Sequence, residues 1–536
     1  MAFGILQPSK PNENIGGTTL LEIETVDAAE HATELKRGTG RHATTILVPQ
    51  PSDDPNDPLR WPLWRRDLMF IMYLYCTVLC VGAIGPLLTA SAAVLAEQFE
   101  TGFTEITLLT GYNTCAVGAF GIVLSALSRK YGKRPGYVFS MVCAFVGTVW
   151  GGAAKSYESL LGARIVQGFG VSMFESVMFD MVGDLYFVHE RGARVAALTV
   201  AIAGMANLPT VLSGLVTTRL GWRWMFWMLS IFLGLGLVLI VLFGWETTFR
   251  RPLEDCDMIG AADTTHESKG TDSPRKETGL QEVENIEMEV IPPPQRKAFL
   301  QRLSLYSGSY SDIPLPTMIM KPFLILVHPA VIWSTLLLSI STAWYVVVSF
   351  LIAQIFATPP YLLTAVEIGY MSSGPVIGGT LGSIVCGLIS DPIAMALARK
   401  NNGIYEAEFR LVLLVPMMVT GVIGWFLFGN LVVAEKSPAV ITIVWGIAAA
   451  SIQFCMSTIG TYMVDGYRKI SVEVFIIGMV VKNFVFFGLS FGVNDWVTIW
   501  GPAKVFDTIG GIQLALCLLS GVVWIFGKKW RAHFYA

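Results

Sequence analysis

The chain has 536 residues, 53% of them hydrophobic and only 14% charged, with a formal net charge of -3 and a mean hydropathy of +0.57. Soluble domains carry roughly 25% charged residues, so this composition excludes an ordinary soluble enzyme or nucleic-acid binder and places most of the chain in a lipid bilayer. The small net charge says little, because in such a protein charge acts by location rather than by sum.

Residues 1–65 are polar, mixed in charge and without the apolar core of a signal peptide, which predicts a disordered cytoplasmic tail. The end of that tail carries Trp61, Trp64, Arg65 and Arg66, an aromatic and basic anchor of the kind found at a membrane interface. Apolar runs long enough to span, at about 20 residues each, follow near 68–92, 106–127, 136–154, 159–183, 194–217 and 223–244. A second set lies near 330–356, 367–390, 410–431, 438–462, 473–493 and 508–527. The pattern predicts an all-α integral membrane protein of twelve transmembrane helices in two six-helix bundles, 66–244 and 326–536. Residues 245–325 between them are charged and rich in Ser, Thr, Pro and Glu, which suits a flexible cytoplasmic linker. Ser273-Pro274 in that linker reads as plain solvated loop, with phosphorylation as the alternative.

Charge placement sets the orientation. No basic residue occurs between Arg66 and Arg129, and the intervening connection carries Glu97, Glu100 and Glu105. Arg129, Lys130, Lys133 and Arg134 fill the next connection; Arg191, Arg194, Arg399, Lys400, Arg468, Lys469, Lys528, Lys529 and Arg531 fall on the same side. That side, and with it both termini, is predicted to be cytoplasmic. Seven of the eight cysteines lie in apolar runs and Cys256 in a polar loop, a pattern of buried thiols without disulfide framework or metal spacing.

The fourth span is the chemically informative one. From Ala163 to Asp184 it holds an Arg, a Gln, a Glu and two Asp in a segment otherwise fit to cross a membrane. At about 100° per residue Arg164, Gly168, Val171 and Glu175 share one helix face. Ionisable groups inside a bilayer are costly and mark functional sites by default, so Arg164 and Glu175 are functional candidates, with Glu175 a carboxylate able to bind and release a proton; the alternative is a fixed pairing that only joins helices. Asp180 lies about 160° round from Arg164, and Asp184 sits near the cytoplasmic rim as an anchor or gating residue. Lys482 in the eleventh span, followed by Asn483, either snorkels toward Asp465, the slightly favoured reading, or faces the cavity and attracts an anionic or carbonyl-bearing group. Asn113, Gln167, Asn207, Trp344, Tyr345 and Gln453 are further cavity candidates, each with packing as its alternative. The chain has no phosphate-binding G-x-x-x-x-G-K-[ST] loop, no His pair at metal spacing and no nucleophile-base constellation. It is predicted to use neither ATP nor a cofactor and to be no enzyme.

Several motifs carry a family resemblance. Arg164-x-x-Gln167-Gly168-x-Gly170 matches a fourth-helix motif of the major facilitator superfamily, and the turn S-A-L-S-R-K-Y-G-K-R-P-G matches that family's second-to-third loop in Leu127, Tyr131, Gly132, Lys133 and Arg134. Gly387-Leu388-Ile389-Ser390-Asp391 keeps the glycine and acid of the same motif in the second half. The stretches A-R-K-N-N-G-I-Y-E-A-E-F-R, F-V-H-E-R-G and G-W-R-W-M-F-W resemble the fungal drug:proton antiporter branch, close to polyamine and organic-cation permeases and exporters of fungal secondary metabolites. Two departures stand out. Arg129 replaces the acid of the first loop, and the fifth span reads G-M-A-N-L-P-T-V-L-S-G, with Pro209 and Gly214 but without the antiporters' Gly-Pro pair. The resemblance implies two bundles around a central cavity working by alternating access, proton coupling at Arg164, a small-molecule substrate, and gating by Arg129, Gly132, Lys133, Arg134, Asp184 and Asp391. It further implies a monomer in the plasma membrane, with the vacuolar membrane as the alternative. Three functions remain open: export of a small, largely apolar molecule, uptake of polyamines or other organic cations, and ligand sensing without transport. A polyamine site needs several carboxylates, whereas the spans offer Glu175, Asp180 and a competing Lys482, so export is preferred.

Overall fold

The computed structural model describes residues 4–6, 18–20, 51–52, 54–204, 208–249, 298–467 and 470–535. Asn207, Cys256, Ser273, Pro274, Arg468 and Lys469 lie outside the described residues. Within a bilayer the backbone can bond only to protein, which leaves the helix as the spanning form for these apolar runs. Among the described residues 11 helices are long and apolar enough to cross. In chain order the spans are α1 (Leu63–Ala83), α2 (Phe103–Tyr131), α3 (Lys133–Ala153), α4 (Tyr157–Leu185), α5, α6 (Arg223–Phe243), α7 (Pro329–Ala357), α8 (Ala365–Lys400), α9 (Ala407–Val433), α10 (Pro438–Gly466), α11 (Val472–Ser490) and α12 (Pro502–His533). The described parts of α5 are Val188–Thr199, which continues as the π-helical turn Val200–Gly204, and Leu208–Leu220, with Pro209 in its first turn.

Breaks in the helices have local causes. The first span stops well short of residue 92 because it passes through a π-helical turn, Val78–Ala83, into a 3-10 turn, Gly85–Leu88, that contains Pro86; proline has no N–H to continue the ladder. A short helix, Ala92–Phe99, then leads to α2. In α4 the break falls at Val177, with φ -113° and ψ -7°, between Tyr157–Ser176 and Met178–Leu185.

Small residues set which helices touch. Within the N-terminal half α4 packs on α2 and α3, and α3 on α6; within the C-terminal half α10 packs on α8 and α9, and α9 on α12. The halves meet along two seams, α2 on α11 and α5 on α8. Gly214 makes the second seam possible, since a Cβ there would stand 2.2 Å from the Ala365 carbonyl oxygen. The first is in contact along its length: Gly111 faces Ser490, Gly118 faces Asn483 and Arg129 pairs with Glu473 at 3.2 Å, while just beyond α11 Asn494 Nδ2 donates to Thr107 Oγ1 at 2.9 Å.

The end of the protein that carries both termini, here the terminal face, is more ordered than a free tail and a flexible linker would be. Ile5 is buried beside Ala398 and Phe409, and Leu6 N–H donates to the Ile525 carbonyl. Strand β1 (Thr18–Leu20) pairs antiparallel with β2 (Ile404–Glu406), setting Thr18 opposite Glu406. Its hydroxyl donates to Glu406 Oε2 at 2.7 Å. The physical reason is a buried ionic cluster that needs a cover: Arg531 of α12 bonds Glu406 and Glu408, and Lys528 adds a second cation to Glu406. The described ends of the linker are packed as well, the later one including a helix, Leu315–Leu324.

The α8–α10 crossing is tight enough to test the packing. A Cβ on Gly378 would stand 2.0 Å from the Gly446 carbonyl oxygen, whereas one on Gly387 would meet nothing within 4 Å. Gly378→Ala should therefore cost about 1–3 kcal/mol, as forced overpacking does, and lower the thermal midpoint of the purified protein; Gly387→Ala should not lower it.

Candidate functional site

Glu175 sits at the end of the first segment of α4, two residues before the break, and α11 faces it from the other half of the protein. Lys482 Nζ donates to Glu175 Oε1, and Asn483 Nδ2 lies 3.3 Å from Glu175 Oε2. The Glu175 side chain is 14% exposed and that of Lys482 23%. Lys482 therefore does not snorkel to Asp465, whose carboxylate is already engaged by Arg410 at 3.1 Å and by the Tyr405 hydroxyl at 2.6 Å. Charge attraction across a desolvated seam reaches further than a search along one helix would show. The result is an ion pair that joins the two halves in mid-span, beside the seam where Gly118 and Gly121 of α2 meet Asn483 and Met479 of α11.

Arg164 shares a helix with Glu175 but not its surroundings. The guanidinium is fully buried and donates to the Ile84 and Gly85 carbonyls at 2.7 and 3.2 Å, to Gln167 Oε1 at 3.0 Å and to Thr110 Oγ1 at 3.2 Å. Those two carbonyls lie where α1 breaks before Pro86, so Arg164 supplies the donors that the broken helix lacks. Gln167 Nε2 continues the network to Thr148 Oγ1 at 2.8 Å, and Asn113 Nδ2 donates to the Arg164 carbonyl at 2.7 Å. Arg164, Gln167 and Asn113 thus hold α1, α2, α3 and α4 together, about 11 residues or roughly three turns from Glu175.

In the C-terminal half Gln453 Oε1 accepts from Ser383 Oγ at 3.2 Å, bridging α10 and α8. Trp344 of α7 is buried, with its ring 6.1 Å from that of Trp496, and its indole N–H has no hydrogen-bond partner among the described residues. Tyr345 beside it is half-buried. Because Ser339 Oγ donates to the Gly478 carbonyl and Gln354 Nε2 to that of Asn494, α7 and α11 run in parallel with Trp344 near the level of Asn483.

The predicted gating residues fall into two groups on the terminal face. Lys133 is buried between Asp180 at 2.8 Å and Asp184 at 2.6 Å; Arg134 donates to the Gly244 and Val241 carbonyls. Gly132 has φ +98°, and a Cβ there would stand 2.3 Å from Glu246 Oε2. The matching place in the second half is filled by Arg410, which pairs with Asp391 at 2.6 Å and with Asp465. Burial first and then Asp465 hold the Tyr405 phenol above its usual range. Arg129 crosses to Glu473 of α11, which also accepts Lys321 at 3.3 Å. Sequence reasoning missed Glu473, Lys321, Arg410, Glu246 and Arg531. One signal was available: a basic residue where the loop motif has an acid asks for an acid at the same end of the facing bundle, and Glu473 opens α11.

Two six-helix halves, joined among the described residues by seams of small residues and by a mid-span ion pair, have the architecture of a membrane transporter. The sequence profile of the Major Facilitator Superfamily matches residues 73–493, and the chain belongs to that family, whose members are transporters rather than enzymes. It is 25% identical to the uncharacterized MFS-type transporter C1271.10c of Schizosaccharomyces pombe, covering 99% of this chain and 95% of that protein. Protein HOL1 of Saccharomyces cerevisiae is 22% identical, with 91% of each chain covered. The probable efflux pump mfs2 of Aspergillus flavus is 22% identical, covering 83% of this chain and 99% of that protein. Of solved structures, the proton:xylose symporter XylE superposes with a TM-score of 0.55 at 13% identity, covering 88% of this chain and 100% of that one. The human organic anion transporter MFSD10 gives 0.52 at 15%, covering 86% and 100%. Both likenesses are of fold.

If Glu175 and Lys482 hold one another, their effects on stability are not additive. In a double-mutant cycle read by thermal unfolding, Glu175→Gln and Lys482→Gln should each destabilise, and the double variant should recover about 1–3 kcal/mol of their summed loss. Additive losses would mean that the pair contributes nothing as a pair.

Proposed function

We propose that this protein is a proton-coupled exporter of a small organic molecule, working by alternating access, with Glu175 as the residue that takes up and releases the proton. The observation that supports the reading is the Glu175–Lys482 pair, because its two members belong to different halves of the transporter. A proton on Glu175 removes one charge of the pair, and the contact between α4 and α11 then loses that attraction. Deprotonation restores it. Proton binding and the relative position of the halves are thereby linked, as a coupled carrier requires. Arg164 enters this mechanism as a positioning residue that fixes the broken end of α1 and the course of α4.

The site holds one mid-span carboxylate, already matched by a lysine, and that charge count supports a neutral or weakly charged substrate over a polyamine. Likeness to the probable efflux pump of Aspergillus flavus supports outward transport. The cluster of basic residues on the terminal face, Arg399 and Lys400 among them, supports a cytoplasmic location for that face and for both termini. A monomer in the plasma membrane completes the proposal.

The test compares small molecules inside and outside cells that lack the protein, overproduce it, or overproduce the Glu175→Gln variant, at two external pH values. A compound should leave faster with overproduction, faster still at acid external pH, and the pH dependence should vanish in the variant. Polyamine accumulation inside the cell would contradict the direction and the substrate class; retained pH dependence in the variant would remove Glu175 from coupling.

A further inference from the structure

Both described ends of the linker close on one turn, residues 129–134. Glu246, just beyond α6, accepts the backbone N–H groups of Lys133 at 2.9 Å and Arg134 at 3.1 Å. On the returning side Tyr310 N–H donates to the Lys130 carbonyl at 2.8 Å, Lys130 Nζ to the Ile313 carbonyl at 3.3 Å, and Arg129 Nη2 to the Met318 carbonyl at 3.3 Å. Burial first and then Glu246 push the Tyr310 phenol up to about 12, as expected of a packed rather than a free segment. The linker helix Leu315–Leu324 is thus laid against the terminal-face ends of α2 and α11.

That placement gives Glu473 two cations of different origin. Its Oε1 lies 3.2 Å from Arg129 Nη1 and 3.3 Å from Lys321 Nζ, and its side chain is only 8% exposed. Arg129 ends α2 and belongs to the N-terminal half. Lys321 sits on the linker helix and runs directly into α7, so its chain is continuous with the C-terminal half that holds Glu473. No other side chain pairs with Glu473 among the described residues.

We infer that this triad is a hand-off gate, in which Arg129 closes the terminal face and Lys321 holds Glu473 when that face opens. Breaking a buried pair by removing one partner leaves an uncompensated charge, which costs more than the pair was worth. A second cation carried on the same half as the acid removes that penalty from the open state. In the closed state Glu473 is shared between Arg129 and Lys321; in the open state Arg129, already 21% exposed, passes to solvent and Glu473 keeps Lys321. Two cations on one oxygen therefore act with opposite sign. Arg129 stabilises only the closed face, whereas Lys321 contributes most where it is the sole partner. The inference rests on the alternating-access reading and adds to it a role for the linker, whose end helix becomes a moving part of the gate.

Amide hydrogen exchange of the full-length protein in lipid nanodiscs, followed at the terminal-face ends of α2 and α11, tests the sign. Arg129→Gln should raise exchange there, roughly five-fold for the loss of a partly exposed ion pair. Lys321→Gln should lower it, and Lys321→Arg should restore the wild-type rate, which also shows that the site tolerates substitution. Faster exchange in Lys321→Gln would make Lys321 a second bolt and overturn the hand-off while leaving alternating access intact. An unchanged rate would also overturn it. If Arg129→Gln itself gains no exchange, opening of this face does not pass through Arg129, and the hand-off fails while the Glu175 reading stands on its own transport test.

Discussion

A charge buried in a dry interior must find a partner, because the cost of leaving it alone exceeds what most contacts contribute. Within the bilayer this requirement extends to the backbone, since no water reaches a broken helix. Arg164 answers the backbone requirement at the end of α1, where Pro86 interrupts the ladder and two carbonyls need donors. Glu175 and Lys482 answer the charge requirement, each for the other. The difference between the cases is where the partners sit. Arg164 bonds within its own half, whereas Glu175 bonds across to the other half, so under the proposed alternating access only the second contact depends on how the halves are arranged.

The same logic orders the terminal face. Each half carries a basic residue between two acids: Lys133 between Asp180 and Asp184, and Arg410 between Asp391 and Asp465. These two clusters tie the connection between the second and third helix of each half to the fourth helix of that half, and neither crosses the seam. The crossing pair is Arg129 with Glu473, at the edge of the same turn. Rigid clusters inside the halves, with separable pairs between them, are what rigid-body rocking of two bundles needs. The N-terminal segment adds a cover over the buried Glu406, Glu408 and Arg531 cluster, which explains why part of a polar tail is held at all.

The spans were legible in the sequence because their signal is length and hydropathy, which do not depend on neighbours. The early stop of α1 arose at π-helical and 3-10 turns, where apolar composition continues past the end of regular geometry. On the site, periodicity correctly put Arg164 and Glu175 on one helix but could not show that roughly three turns of rise separate their environments. Lys482 was visible as a charge in a span, yet its partner lies on a different helix of the other half, and no local pattern encodes that. Arg410 and Arg531 were hidden by their position near span ends, where basic residues are ordinarily read as interfacial anchors. The fifth span was the least legible: its described parts are 188–204, which ends in a π-helical turn, and Leu208–Leu220, where Gly214 serves the close approach to α8.

The central claim is that protonation of Glu175 loosens the contact between the halves. It is tested most directly by pulsed electron spin distance measurements between one label on each half of the protein in nanodiscs, taken across a range of pH. The account predicts that acidification shifts the distance distribution in the otherwise native chain, and that Glu175→Gln fixes the acid-like distribution at every pH. A distribution that still responds to pH in the Glu175→Gln variant would contradict it and place the proton elsewhere.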